Sequence, residues 1–159
     1  MAEKDYYQPI KSYLERLLRE QGCEFHLEIT AAKKFSNTLK RGVASHRNIV
    51  FHFLRDAAPD IAGFIKGKYS VDFVVVEIKD QKLKLDNIYQ ARKYAELLDA
   101  KYAILVSTVE IPEEIKRLQQ SVYALLSLPA SKTLALARFD RETNALVDWF
   151  PKNPFDNVR

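Results

Sequence analysis

The chain has 159 residues, 47% of them apolar, and 25 Lys and Arg set against 21 Asp and Glu give it a formal charge of +4. That length supports one domain with a substantial core and is short for two, and so mild a positive balance neither requires nor excludes a polyanionic partner. The lone cysteine, Cys23, excludes an internal disulfide and a cysteine-rich metal site.

"MAEKDYYQPI" lacks the apolar stretch of a signal peptide, and no run approaches the roughly 20 apolar residues of a membrane-spanning helix. A soluble, cytoplasmic protein with no membrane partner is expected. "DYYQPIKSYLERLLREQG" sets Tyr6, Ile10, Tyr13, Leu14, Leu17 and Leu18 at helical spacing and stops at Gly22. "CEFHLEIT" alternates apolar and polar positions and predicts a half-buried strand. "AAKKFSNTLKRGVASHRN" has no clear period and reads as an extended loop, and "IVFHFL" as a further short strand.

Two strands over roughly 60–66 and 71–79 follow, joined by "GKYS". "KLDNIYQARKYAELLDA" then places Leu85, Ile88, Ala91, Ala95 and Leu98 on one helical stripe. "KYAILVST" predicts a buried strand, and "IPEEIKRLQQ" a helix with proline and two acids in its first turn. "TLALARF" and "ALVDWF" read as a closing hairpin. Strands interleaved with helices and no repeat indicate one α/β domain, a three-layer sandwich around a central mixed sheet flanked by helices.

The first hairpin carries the chemistry. A turn centred between Lys68 and Tyr69 sets Phe64 opposite Phe73, Ala62 opposite Val75 and Ile61 opposite Val76, and carries Asp60 to a place opposite Glu77. Directly opposed residues have Cβ atoms about 5 Å apart, where like charges repel. Two carboxylates so placed call for a cation, and Mg²⁺ or Mn²⁺ suits an oxygen-rich site. Lys79 shares the face of Glu77, because side chains alternate along a strand, and can orient a water or steady charge on a phosphate. By the same parity Asp72 and Asp80 face away.

"PD" at Pro59–Asp60 and "EIK" at Glu77–Lys79, on adjacent strands and followed by a helix, resemble the PD-(D/E)xK nuclease superfamily, the restriction-endonuclease-like fold. The resemblance spans roughly residues 10–108. It implies metal binding by Asp60, Glu77 and the main-chain carbonyl of Ile78, with Lys79 helping to activate the attacking water. It further implies roles near the metal for Gln90, in the helix after the second motif strand, and for Glu15, in the first helix. Each residue has a plainer reading: a turn at Asp60, a surface ion pair for Glu77 and Lys79, a helix-surface amide at Gln90, an i,i+4 pair of Glu15 with Lys11. Their joint placement favours the metal site.

From Ile29 to Arg55 the chain has Lys33, Lys34, Lys40, Arg41, Arg47 and Arg55 and no acid. This stretch leads into the motif, and Lys82 and Lys84 follow it, as phosphate-backbone contacts would require. A solvated lysine-rich loop is the plainer alternative. The three histidines lack zinc-type spacing. The expectation is a Mg²⁺-dependent deoxyribonuclease, possible as a homodimer through apolar surface of the last hairpin. The alternative is a catalytically silent nuclease-like domain that binds nucleic acid or a protein partner.

Overall fold

Seven strands form one mixed sheet in the computed structural model, which describes residues 2–158. β1 (Phe25–Ile29), β2 (Ile61–Lys66) and β3 (Val71–Lys79) make an antiparallel meander. β4 (Tyr102–Ser107) joins β3 in parallel, and β6 (Lys132–Asp140) joins β4 in parallel. β5 (Ser127–Leu128) and β7 (Ala145–Phe150) pair antiparallel with β6. The parallel connections are long enough to carry helices: α4 (Leu85–Leu97) links β3 to β4, and α5 (Glu113–Ser121) lies between β4 and β5.

Helices cover both faces, so the central strands are apolar on both sides. On one face α1 (Tyr7–Glu20) lays Ile10, Leu14 and Leu18 against Ile61, Val74, Val76 and Ile78. On the other, Ile88, Ala91 and Ala95 of α4 meet Ala62, Val75, Ala103 and Leu105. This double coverage is why "FVVVEI" and "YAILVS" read as unbroken apolar runs, not as alternating ones. Gly22, at φ 73°, adopts the left-handed conformation that ends α1. Gly63 has a different duty: a Cβ there would collide with the His26 carbonyl and lie 2.8 Å from Leu27 Cα, so only glycine lets β1 close on β2.

Three expectations require correction. The segment 49–54 is not a strand; it contains a short helix, α3 (Val50–Phe53), which buries Val50 and Leu54, four residues apart, and leaves Ile49 and Phe53 exposed. A run with one polar residue among six carries no period, so tertiary packing decides. The preceding segment is not wholly extended. It contains α2 (Asn37–Arg41), whose N-cap Ser36 accepts a hydrogen bond from the Leu39 amide at 3.1 Å, and a 3₁₀ turn at Ser45–Arg47. Five residues anchored by one buried leucine are too few to show helical periodicity. In α4, Leu85 is exposed, and the buried stripe starts at Asn87, whose side-chain oxygen accepts from the Lys84 amide at 2.8 Å.

The last hairpin forms as expected, with Arg138 opposite Val147 and Phe139 opposite Leu146. Its apolar residues are largely consumed internally: Leu134, Leu136, Phe139 and Leu146 are all buried in the chain's own core. Among the described residues no helix is long and apolar enough to cross a membrane.

Candidate metal centre

The hairpin register is the one expected from a turn centred between Lys68 and Tyr69, from Ile61 opposite Val76 to Lys66 opposite Val71. One step beyond Ile61, at the mouth of β2, the chain is held hard. The Asp60 amide donates to the Val76 carbonyl at 3.1 Å, and the Asp60 carbonyl accepts from the Thr30 amide at 2.9 Å. The Thr30 hydroxyl, fully buried, donates to the Pro59 carbonyl at 2.6 Å. Pro59 has no amide to satisfy, so the turn into β2 is completed by Thr30 at the end of β1.

The Asp60 side chain turns along the sheet edge, where its Oδ2 accepts from the Ile78 amide at 2.7 Å. A strand residue directs its amide and carbonyl to the same side, so the Ile78 carbonyl also faces the edge beyond the start of β2. The Tyr7 hydroxyl, in the first turn of α1, feels the Asp60 carboxylate. Burial, and then the charge of Asp60, push the Tyr7 hydroxyl well above its ordinary pKa and keep it a proton donor.

Glu77 is 5% exposed, and its Oε2 is buried with no hydrogen-bond partner. Its other oxygen lies 3.7 Å from the Lys79 ammonium, too long for a strong charge-assisted bond. Burial pushes the Glu77 carboxyl up to about 9, and the charge and shared hydrogen bond of Asp60 add to the shift. Lys79 opposes it, and Glu3 adds a further negative field. The two carboxyls are thus in mutual contact and short of positive charge.

From the α4 side Gln90 Nε2 donates to the Tyr94 hydroxyl at 3.2 Å. Burial raises the Tyr94 pKa, the Gln90 bond opposes this, and the charges of Glu77 and Asp60 raise it further. Gln90 therefore reaches the centre through Tyr94. Glu15 is placed elsewhere: it pairs with Lys11 at 3.0 Å, two turns past Tyr7 and so about 12 Å along α1. The N-terminal acid whose charge is felt at Glu77 is Glu3, in a 3₁₀ turn before α1. Asp72 and Asp80 are engaged away from the pair, Asp72 with Lys101 at 3.7 Å and Asp80 with the Thr108 hydroxyl at 2.6 Å.

The basic residues divide. Lys33, Lys34, Lys40 and Arg41 are exposed, and among the described residues none of them pairs with a carboxylate. Arg47 donates to the Leu97 carbonyl at 2.8 Å and so caps the last turn of α4. Lys82 pairs with Glu114 at 2.9 Å on the surface, and Lys84 precedes α4 as its N-cap.

A divalent cation fits the donor set. The unpartnered, buried Oε2 of Glu77 is an acceptor that a cation would satisfy, and the charge of Asp60 is felt at the same carboxyl. Among the described residues no group of three or more His, Cys, Asp and Glu is arranged to hold a metal, so any cation here would have only the two carboxylates and main-chain oxygen to meet. Mg²⁺ is commonly held this way, by one or two carboxylates with water and substrate phosphate completing its shell. No family model matches the chain, and no match to it was found among curated proteins or solved structures.

Proposed function

We propose that the chain is a divalent-cation-dependent nuclease that hydrolyses phosphodiester bonds in DNA, on a restriction-endonuclease-like fold. The observation that carries this reading is the buried contact between Asp60 and Glu77, with one Glu77 oxygen left without a partner and Lys79 beside it. Asp60, Glu77 and the Ile78 carbonyl would hold Mg²⁺ or Mn²⁺. When bound, the cation supplies Lewis-acid polarisation of a phosphate and neutralises charge developing on it.

The remaining work falls to the protein's own groups. Lys79 is largely buried, with its side chain 17% exposed and its ammonium 3.7 Å from Glu77. There it donates to a water or a phosphoryl oxygen. The Ile78 amide fixes the Asp60 carboxylate, and Gln90 holds the Tyr94 hydroxyl. Exposed Lys33, Lys34, Lys40 and Arg41 provide sequence-independent attraction for a phosphate backbone.

The test is a cleavage panel of linear, nicked, branched and single-stranded DNA with Mg²⁺ or Mn²⁺, run beside Lys79→Ala. Wild type is expected to cut at least one substrate, with activity lost in chelator. Lys79→Ala should fall by about 10²–10³-fold, the usual effect of removing one donor aimed at developing charge. Binding of DNA without turnover under every metal would instead indicate a silent, binding-only domain.

A further inference from the structure

A concave surface flanks α2 and α3. Lys33, Lys34, Lys40, Arg55, Ile49 and His52 line a groove of about 620 Å³ together with Phe35 and Phe51. It is joined to the metal centre through very little chain. The Thr30 amide holds the Asp60 carbonyl, and the Lys33 amide closes a turn on the Thr30 carbonyl at 2.8 Å, so Lys33 lies within about 7 Å of Thr30 along the backbone trace.

The charge of this groove is one-signed. Lys33, Lys34, Lys40 and Arg55 have no carboxylate partner among the described residues. Four unpaired cations in one concavity favour a polyanion. Apolar surface is also presented to solvent here: Ile49, which lines the groove, is 64% exposed, and Phe53, next to the groove-lining His52 at the end of α3, is 60% exposed. Phe53 and His52 form a T-shaped pair with ring centroids 5.2 Å apart, and Phe51 has Lys40 over its ring at 5.9 Å.

A duplex offers a protein surface its phosphates and groove edges, and keeps its base faces stacked inside. Exposed aromatic and aliphatic side chains would gain little from it. An unpaired strand shows both phosphates and base faces, and base stacking on aromatic side chains beside a basic track is the recurring way such strands are held. We infer that the groove between α2 and α3 binds an unpaired DNA strand, with phosphates on Lys33, Lys34, Lys40 and Arg55 and a base stacked on Phe53. The inference deepens the nuclease reading by naming the form of the substrate, and rests on it only for what happens after binding.

The test is carried out in chelator, so that binding is read without cleavage. Fluorescence anisotropy with a labelled oligothymidylate of about 12 nucleotides is compared with the same strand annealed to its complement. Wild type should bind the single strand about tenfold more tightly than the duplex. Phe53→Ala, a change at an exposed site, should lose about tenfold in single-strand affinity with the duplex affinity unchanged. Lys33→Ala with Lys34→Ala should weaken both and flatten the salt dependence of single-strand binding by about 1.4 in log–log slope. Equal or tighter duplex binding, no effect of Phe53→Ala, or no binding of either form overturns the inference. So does a dimer in sedimentation that Phe53→Ala dissolves, since the face would then belong to a second copy. Phe53-dependent strand binding with no metal-dependent cleavage would sink the nuclease reading alone.

Discussion

Asp60→Asn is expected to lower Mg²⁺-dependent cleavage by about 10³-fold or more while leaving DNA affinity and the fold nearly unchanged. The substitution keeps an oxygen to accept from the Ile78 amide, a bond of 2.7 Å that would otherwise leave a buried donor unpaired. It removes the negative charge that faces Glu77. A cation site reduced from two anionic ligands to one loses several kcal/mol of charge stabilisation, and about 4 kcal/mol corresponds to 10³-fold in rate. Asp60→Ala should be equally inactive and also less stable by about 1–3 kcal/mol, because the Ile78 amide loses its acceptor. Single-turnover cleavage and a denaturant melt of each variant separate the two effects. Activity within tenfold of wild type in Asp60→Asn would remove Asp60 from the mechanism.

Glu77→Gln is expected to abolish the metal response and, in chelator, to make the protein more stable at alkaline pH. The folded protein holds the Glu77 carboxyl near 9, against 4.5 for the ordinary value, because it is buried and beside Asp60. Between these values the native state keeps a proton that the unfolded chain has released. Metal-free stability therefore falls as pH rises through that window, by up to ~1.4 kcal/mol per pH unit, and levels off above about 9. Glutamine does not titrate, so the difference between wild-type and variant stability curves should grow steadily from pH 5 to pH 9. Adding Mg²⁺ at pH 8 should restore stability to wild type only, by ~2.7 kcal/mol at a hundredfold excess over its dissociation constant. Parallel curves for the two proteins would show that Glu77 ionises freely in the folded state.

The parts of this fold visible in the sequence are those governed by short-range periodicity. The hairpin register follows from a short turn centred between Lys68 and Tyr69, and it carries Asp60, Glu77 and Lys79 into one neighbourhood. Gln90 was legible through the family resemblance, and its partner Tyr94 lies one turn later on α4. What escaped was assembled across distance. Thr30 braces Asp60 from β1, and Tyr7 and Glu3 approach it from the N-terminal turn, through packing that leaves no periodic trace. The resemblance pointed to an acid in the first helix, but the side of α1 that meets the sheet edge was decided by Tyr6 and Ile10, which bring the helix start, and not Glu15, to the carboxylates. The short helices α2 and α3 escaped because each buries only one or two residues.

The most direct measurement is a calorimetric Mn²⁺ titration at pH 8, repeated in buffers of different ionisation enthalpy. A Glu77 carboxyl protonated in the metal-free protein has to give up its proton as its oxygens accept a cation. The result predicted is one tight site per chain with release of close to one proton, absent from both Asp60→Asn and Glu77→Gln. Mn²⁺ binding that survives in either variant, or no saturable binding to wild type, would contradict the assignment of residues 60 and 77 to a shared cation.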